Sequence, residues 1–258
     1  MKSAGLKYEV IVVDNNSQEN VQSVCDSFLN CQFIQAGENL GFGRANNLGI
    51  SKAHSENICL INLDAKLLTT AKNLVSTLNS YPNSILSGHM TDYGGVFFRP
   101  SYGFFPDKIK FLLKPSLMYK QFFNTKDSEY PVNVDWIEAS FLLLKREVWD
   151  QIGGFDERVF MYGEDIILCK QANYLNIDRV VIPEKWYAHE GGYDSSKGHL
   201  IYKGFLSYSK SCYTGVRRLR ILTKCYLILI IKILSFLIMC PIGSQYCKKF
   251  INLLKVFK

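Results

Sequence analysis

Short apolar runs alternate with helix-like stretches through the first 80 residues. The runs have the β-branched, apolar character of buried parallel strands and lie at residues 8–13, 32–35 and 57–61. Between and after them, the pattern predicts helices that end near residues 30, 53 and 80, the last one capped by Thr69 or Thr70. Alternating strands and helices are typical of an α/β protein with a doubly wound, mostly parallel sheet.

The second half of the chain is less regular. Aromatic residues, glycines and prolines dominate residues 88–131, which indicates a β-rich excursion with a flexible loop at about 100–130. Strands are predicted again at 132–136 and 141–145, followed by a short helix to Ile152 and a last strand at 179–182. We therefore expect one α/β domain at residues 1–200 and a separate tail at 201–258.

Charge divides the chain at the same place. The chain carries +7 overall, but residues 1–194 hold 18 basic and 23 acidic side chains, and no Asp or Glu follows Asp194. An acidic body with a basic, apolar tail favours an anionic partner surface, either a membrane or a nucleic acid. The tail has few polar residues for phosphate and base contacts, so we expect a membrane and no nucleic acid.

The apolar run from Cys225 to Cys240 has one charge in sixteen residues. A spanning helix needs about 20 apolar residues, and Lys232 interrupts this run. Five polar side chains fall on about a third of the helix circumference, which favours a helix lying in the membrane interface with its basic side toward the headgroups: Arg217, Arg220, Lys224, Lys232 and Ser235. A buried core helix is the alternative, and whether residues 221–240 span the membrane or lie on it stays open.

Eight cysteines without a CxxC pair, and a polar start without a secretory signal, indicate a reduced, cytoplasmic protein.

Residues 153–165, the acidic segment, contain four carboxylates and two glycine breaks, with Asp156 and Glu157 between the breaks and Glu164 and Asp165 directly after the second. Glu164 and Asp165 open an apolar helical run, where unpaired backbone N–H groups and the helix dipole keep carboxylates ionised. An ionised carboxylate at the edge of a cleft suits a general base that deprotonates a hydroxyl. Simple helix capping is the alternative role.

Two further carboxylates follow predicted strands. Asp14 and Asp64 stand at strand ends, where ligands bind in doubly wound sheets, and His189 lies in a late glycine-containing loop. Mg²⁺ takes one or two carboxylates plus substrate phosphates, and an imidazole suits Mn²⁺ better. A strand-end carboxylate beside an asparagine is thus a candidate site for a divalent metal, to which His189 would add an imidazole. The alternatives are a turn role for Asp14 and a surface or packing role for His189.

Five segments in this order resemble the family 2 glycosyltransferases, especially their rhamnosyltransferase-like branch: VDNNS at 13–17, ENLGFGRANNLGI at 38–50, INLDA at 61–65, GGFDERVFMYGEDIILC at 153–169 and HEGG at 189–192. The resemblance covers about residues 8–200. It implies a Rossmann-like fold of the GT-A type and an inverting transfer from a nucleoside diphosphate sugar to a lipid-linked glycan in bacterial surface polysaccharide synthesis, such as O-antigen.

The resemblance also assigns roles to residues. It implies Asp165 as general base with Glu164 beside it, and Mg²⁺ or Mn²⁺ at Asp64 and His189. It implies that the nucleotide sugar is bound by Asp14, Asn16, Arg44, Asn47 and Asp64. It implies an acceptor and sugar pocket lined by Trp136, Glu138 and Ala139.

The chain departs from the family in two ways. The metal motif has Asn62-Leu63-Asp64 where an aspartate pair or Asn-Pro-Asp is usual, and the usual first strand and helix before the VDNNS strand are missing. We expect an N-terminally truncated fold whose full activity needs about 30–40 more residues, one βα unit.

Three functions remain open at this point. The first is a metal-dependent glycosyltransferase at the inner face of the cell membrane. The second is a non-catalytic relic or scaffold of the same family. The third is a nucleotidyltransferase, which the tail and the absence of a lysine-bearing glycine-rich start motif make a poorer match.

Overall fold

A computed structural model of the chain describes residues 6–96, 100–107, 130–190 and 198–257. The first half contains β1 (Val10–Asp14), α1 (Val21–Cys25), β2 (Cys31–Gln35), α2 (Phe42–Lys52), β3 (Asn57–Ile61), β4 (Ala65–Leu67), α3 (Ala71–Ser80) and β5 (Ser84–Thr91). Three short strands follow, β6 (Tyr102–Gly103), β7 (Val132–Asn133) and β8 (Trp136–Ile137). The predicted loop at 100–130 falls largely outside the described residues.

The second half returns to longer elements. It contains β9 (Phe141–Lys145), α4 (Arg146–Ile152), α5 (Glu164–Tyr174), β10 (Asp178–His189), α6 (Gly198–Cys212), α7 (Gly215–Met239) and α8 (Ser244–Leu254). Single 3₁₀ turns follow α7 at Cys240–Ile242 and α8 at Lys255–Phe257.

The main sheet has the strand order β3-β9-β5-β10-β4, and β7 also pairs with β10. β3 and β5 are both antiparallel to β9, and β10 is parallel to β5, so β3, β5 and β10 run in one direction. β9, β4 and β7 run the other way. The predicted α/β fold is confirmed, while the apolar pattern of β9 gave no sign that this strand enters the sheet reversed.

β1 and β2 form a separate parallel pair, in register from Val10 opposite Cys31 to Asp14 opposite Gln35. Among the described strands, β1 pairs only with β2, and β3 pairs only with β9. The two strands thus present open edges. The expected additional βα unit stays a prediction.

Several elements differ in length from the sequence-based expectation. α1 ends at Cys25 rather than near residue 30, and β10 runs for twelve residues through Pro183. β5 was not predicted, because Gly88 and four polar residues break its apolar pattern. Its side chains are nearly all buried, and Gly88 lies so close to β10 that a Cβ there would be 2.2 Å from Trp186 Cγ. Packing against β10 therefore forms this strand.

Helices cover both faces of the sheet. A smaller apolar cluster joins α3 to one face through Leu74, Leu78, Phe141 and Trp186. A larger cluster on the other face contains residues of α4, α5, α6 and α7. α6 crosses the expected domain boundary at residue 200 and contributes Phe205 and Tyr208 to this cluster. The division into two domains stays a prediction.

α7 packs on the body by one face only. Ile221, Cys225, Ile228 and Leu229 are buried at helical spacing, while much of the rest of the helix is exposed. α7 and the 3₁₀ turn after it form a continuous helical segment, Gly215–Ile242, of 28 residues. Its most apolar 18-residue window has a mean hydropathy of 2.5, so by length and composition the segment could cross a membrane. The apolar run at 225–240 is thus part of a longer helix than expected.

The expected basic face of this helix is corrected at one position. Lys232 is half-buried, with its Nζ 5.6 Å from the centre of the Tyr202 ring. It therefore faces α6, whereas Arg217, Arg220 and Lys224 are exposed near the start of the helix. Packing of α7 on α6 separates these charges, which a helical projection of the sequence placed together.

Gly204 tests the close packing of α6 against the acidic segment. A Cβ on Gly204 would lie 2.3 Å from the Tyr162 carbonyl oxygen, which belongs to the backbone. Helix propensity alone favours Ala over Gly by about 1 kcal/mol, but overpacking costs about 1–3 kcal/mol. We expect Gly204→Ala to lower the free energy of unfolding, measured by urea denaturation. Gly243→Ala, whose Cβ meets only atoms 3.8–3.9 Å away, is the control, and a stabilised Gly204→Ala variant would contradict this packing.

Candidate active site

The acidic segment turns sharply before α5. Gly153, Gly154 and Gly163 have φ values of 86°, 76° and 95°, a region that side chains rarely adopt. Glu164 begins α5 and is 6% exposed, and its Oε2 has no hydrogen-bond partner among the described residues. Asp165 follows and accepts the Ile166 backbone N–H at 2.8 Å through Oδ1. The two carboxylates are thus held at the first turn of a helix.

Burial raises the pKa of both carboxyl groups. For Glu164, desolvation is the main cause, and the charge of Asp165 adds to it. For Asp165, desolvation again comes first, followed by the charge of Glu138, while the backbone N–H groups of Ile166 and Ala139 act in the opposite direction. Raised proton affinity is what a general base needs in order to take a proton from a hydroxyl near neutral pH.

The turn at residues 138–140, the central turn, connects this base to the metal motif. The Ala139 backbone N–H lies near enough to the Asp165 carboxylate to act against the rise in its pKa. The next residue, Ser140, accepts the Asn62 backbone N–H at 3.1 Å through its carbonyl. Its hydroxyl lies 3.0 Å from the Tyr187 hydroxyl, two residues before His189. The predicted base and the predicted metal ligands therefore meet at one turn.

Asp64 and His189 lie close together although 125 residues separate them. His189 Nε2 is 3.2 Å from Asp64 Oδ1 and 3.5 Å from Asn62 Nδ2. The antiparallel pairing of β10 with β4, which sets His189 opposite Ala65, brings them together. The structure thus brings together the two residues that the resemblance implied as metal ligands, and it places His189 at the end of β10 rather than in a loop. Their role as metal ligands stays a prediction.

The chemistry of this pair fits a divalent cation. In the described part of the chain, no group of three or more His, Cys, Asp and Glu side chains is placed to hold a metal. Asp64 is 63% exposed as a side chain, and His189 is 6% exposed. One accessible carboxylate and one imidazole leave positions that substrate phosphates and water fill in magnesium and manganese sites. Asp64 and His189 are thus two possible protein ligands of an incomplete set.

Asp14 ends β1 and is buried. Its Oδ1 accepts the Ser17 backbone N–H at 3.0 Å, and its Oδ2 accepts the Gln35 amide at 2.9 Å. The hydrogen bonds from Ser17 lower the pKa of Asp14, and the carboxylate stays ionised. Both oxygens are therefore already engaged in the free protein, and a nucleobase would share this carboxylate with Ser17 and Gln35. The nucleobase role stays a prediction.

Asn15 is a residue that the sequence analysis missed. Its side chain accepts the Leu40 N–H at 2.7 Å and donates to Asn39 and to the Gly41 carbonyl. It therefore joins the end of β1 to the glycine loop, residues 37–47. Asn16, the predicted ligand, is exposed with φ of 65°. Position alone did not distinguish the two asparagines, because only the fold shows which one faces the loop.

The glycine loop lies against the acidic segment. Phe42 N–H donates to the Phe160 carbonyl at 3.0 Å, and a Cβ on Gly41 would meet that same oxygen at 2.1 Å. A Cβ on Gly43 would lie 2.9 Å from Phe155 Cβ and 3.8 Å from Glu164 Cβ. The glycines thus permit contact between the start of α2 and the start of α5. Arg44, in the same turn of α2, is exposed.

Asn47 lies in this same contact. Its amide donates to the Phe155 carbonyl at 2.9 Å and to Glu157 at 3.1 Å, and its oxygen accepts the Phe155 N–H at 3.0 Å. Asn47 thereby joins α2 to the acidic segment, and its predicted nucleotide contact stays a prediction.

Asp156 forms a salt bridge with Arg158 at 2.6 Å and accepts a hydrogen bond from Ser211. These bonds, chiefly the one from Arg158, lower its pKa to about 2.

The predicted acceptor pocket residues separate into two groups. Trp136 is 1% exposed, and its indole N–H donates to the Phe104 carbonyl at 2.9 Å, so it supports the central turn from within the core. Glu138 is half-buried, and its charge acts on Asp165. Ala139 is 3% exposed and acts through its backbone. Direct sugar contacts of these residues stay predictions.

Comparison with known proteins identifies the family. The profile described as "Glycosyl transferase family 2" matches residues 2–149, more than half of the chain. The chain belongs to glycosyl transferase family 2. The glycosyltransferase class that the motifs predicted is therefore confirmed, and the scaffold alternative is not favoured.

Two curated relatives are rhamnosyltransferases. Rhamnosyltransferase WbbL of Escherichia coli K12 is 26% identical over 235 residues, which cover 84% of this chain and 84% of that protein. The N-acetylglucosaminyl-diphospho-decaprenol L-rhamnosyltransferase of Mycobacterium tuberculosis H37Rv is 36% identical over 70 residues, 27% of this chain and 22% of that protein.

A solved structure supports the GT-A fold. The mannosyltransferase PcManGT from Pyrobaculum calidifontis, in complex with GDP-Man and Mn²⁺, has a TM-score of 0.53 at 14% identity and covers 96% of this chain and 75% of its own. At this identity the likeness concerns the fold alone.

The raised pKa of Glu164 predicts a pH-dependent stability. A carboxyl group whose pKa is higher in the folded state than in the unfolded state destabilises the fold as pH rises above the unfolded value. Glu164→Gln removes this ionisation. We expect the melting temperature of the variant to exceed that of the wild type at pH 8 by more than it does at pH 4.5, measured by calorimetry. The exposed Glu157→Gln is the control, and the same difference at both pH values would contradict the shift.

Proposed function

We propose that this glycosyltransferase moves a sugar, with rhamnose as the first candidate, from a nucleoside diphosphate donor to a hydroxyl group of a lipid-linked glycan. The names of the E. coli and mycobacterial relatives support rhamnose as the sugar. The mycobacterial name, which includes a diphospho-decaprenol, supports a lipid-linked acceptor. The product would be a bacterial surface polysaccharide, of which O-antigen is one kind.

One observation carries the mechanism. Asp165 is fixed by backbone N–H groups at the first turn of α5, and its pKa is raised by burial and by Glu138. Such a carboxylate deprotonates the acceptor hydroxyl as the oxygen attacks the anomeric carbon. The C–O bond to the donor diphosphate breaks as the new glycosidic bond forms. Attack from the face opposite the diphosphate gives inversion.

The donor diphosphate belongs at Asp64 and His189 in this proposal. These residues would hold Mg²⁺ or Mn²⁺, and the cation would offset the charge of the leaving diphosphate. Asp64 is anchored through Asn62 to the central turn, which also anchors Asp165. The exposed Arg44 and the carboxylate of Asp14 lie on the adjacent pair β1–β2 and α2, where the nucleoside would bind. The proposed base and the proposed metal site are thus both positioned by the central turn.

The tail supports a location at the cytoplasmic face of the membrane. α7 exposes a long apolar surface, and its first turns carry Arg217, Arg218, Arg220 and Lys224, all exposed. Exposed apolar area of this extent indicates a membrane or protein contact, and basic residues beside it favour anionic headgroups. A membrane-associated enzyme has direct access to a lipid-linked acceptor.

The base assignment is tested with Asp165→Asn. General base catalysis contributes about 10²–10⁴-fold, so we expect kcat to fall by about that factor. Nucleoside diphosphate affinity should change little, because Asp165 is not among the residues proposed to bind the metal or the nucleotide. The assay screens nucleoside diphosphate sugars, dTDP-rhamnose first, with a synthetic lipid-linked acceptor and Mn²⁺ or Mg²⁺. Asp150→Asn, an exposed carboxylate on α4, is the matched control. Transfer at the wild-type rate by Asp165→Asn would refute the assignment.

The metal site is tested by Mn²⁺ titration in the presence of UDP or dTDP. Loss of a group that merely supports a metal ligand costs about 10–100-fold in affinity, so loss of a ligand should weaken Mn²⁺ binding by at least about tenfold. We expect this for Asp64→Asn, whose exposed side chain makes misfolding a minor concern, and for His189→Gln. The exposed His54→Gln serves as control. Unchanged Mn²⁺ affinity in Asp64→Asn would place the cation elsewhere.

A further inference from the structure

A groove with a volume of about 450 Å³ lies between the acidic segment and the tail. One face of α6 forms its floor, since Lys203, Ser207 and Lys210 recur at helical spacing. Residues 158–161 form one wall, and Tyr226 of α7 with the last 3₁₀ turn forms the other. We call this feature the basic groove.

The basic groove is positively charged. Its lining includes Arg158, Lys203 and Lys210 and no Asp or Glu. The charge of Arg158 is offset by Asp156 at 2.6 Å. Lys203 and Lys210 form no salt bridge with any carboxylate in the described ranges. The groove lining therefore carries two lysines without a salt-bridge partner among the described residues, and such a pair complements a multiply charged anion such as a diphosphate.

The walls of the basic groove are apolar. Phe160, Leu200, Tyr226 and Phe257 line it, and the rings of Tyr226 and Phe257 stack at 6.4 Å with an interplanar angle of 23°. Beyond Tyr226, the exposed flank of α7 continues this surface with Leu227, Ile230, Ile231 and Leu234. An anionic head with a hydrocarbon chain complements this combination of lysines and apolar side chains.

The basic groove also ends near the general base. Gly204, which lines the groove, lies against Gly163, because a Cβ on Gly163 would be 3.1 Å from Gly204 Cα. Gly163 immediately precedes Glu164 and Asp165 at the start of α5. The groove therefore lies directly beside the segment that carries the general base.

We infer that the basic groove binds the diphosphate and the first isoprenoid units of the lipid-linked acceptor. The diphosphate contacts Lys203 and Lys210, and the hydrocarbon follows Tyr226 toward the apolar flank of α7. This inference rests on the proposed function, since it identifies where the acceptor of the same reaction is held. It gives the tail a role in substrate positioning besides membrane contact.

The test uses farnesyl diphosphate as a short, soluble isoprenoid diphosphate, with farnesol and inorganic pyrophosphate as its two separate halves. Binding to the full chain is measured by calorimetry. The variant is Lys203→Ser with Lys210→Ser. The matched control is Lys224→Ser with Lys248→Ser, two exposed lysines of the tail outside the groove. A third variant, Lys203→Arg with Lys210→Arg, keeps the charge.

Each charged hydrogen bond contributes enough for about a tenfold loss in affinity when it is removed. We expect farnesyl diphosphate to bind the double serine variant at least about tenfold more weakly, with the control and the double arginine variant close to wild type. Farnesol and pyrophosphate should each bind more weakly than farnesyl diphosphate. Equal affinity in all variants, or equal loss in the control, would overturn the inference. Pyrophosphate bound as tightly as farnesyl diphosphate would show an anion site without a lipid channel.

Failure of the inference is distinguishable from failure of the proposed function. Donor hydrolysis without acceptor depends on the donor half and should be the same in the double serine variant as in wild type. If the wild type hydrolyses a donor and the serine variant binds farnesyl diphosphate normally, the function stands and the groove assignment falls. If no donor is hydrolysed while the serine variant loses farnesyl diphosphate binding, the groove assignment stands and the proposed reaction falls.

Discussion

The burial of two adjacent carboxylates at the start of α5 is the constraint on which the site depends. Ionised carboxylates are costly to remove from water unless hydrogen bonds and opposite charges compensate. Glu164 and Asp165 have backbone N–H groups and a helix N-terminus nearby, but no described cation neutralises them. Desolvation therefore raises the pKa of both carboxyl groups. Burial of these carboxylates thus lowers the stability of the folded protein and raises the proton affinity of the base.

Close backbone packing is what makes this burial possible. Three glycines allow α2, the acidic segment and α6 to approach α5 without side chains in between: Gly43, Gly163 and Gly204. Asn47 then fixes the acidic segment to α2 through the backbone of Phe155. Water is thereby kept from one side of the carboxylates, and the glycine loop acquires a structural role in addition to any contact with a nucleotide.

The central turn connects the buried carboxylates of α5 to the predicted metal ligands. Residues 138–140 follow β8 and precede β9, the strand that runs against β3 and β5. The turn therefore meets the Asn62–Asp64 motif at the end of β3 and Asp165 at the start of α5. Because these contacts use backbone groups of Ala139 and Ser140, they depend on the position of the turn more than on its side chains. In the tail, α6 and α7 pack against α5 in the larger apolar cluster, and the other face of α7 is exposed.

The sequence by itself determined the alternation of strands and helices, the strand-end carboxylates and the acidic first turn of α5. These are local patterns, so periodicity and capping chemistry report them. The resemblance of its motifs to a known family also placed Asp64 and His189 in one metal site, and the antiparallel pairing of β10 with β4 brings the two residues together.

Only the tertiary structure decided the rest. It showed that Asn15 rather than Asn16 faces the glycine loop, that Trp136 is a core residue, and that Lys232 turns toward α6. It also showed that residues 84–91, which have little strand character, form β5, and that β9 runs antiparallel to its neighbours in the sheet. The physical reason is common to these cases. Which way a side chain points, and which strand accepts a neighbour, depends on contacts between segments far apart in the chain, and such contacts leave no periodic pattern in the sequence.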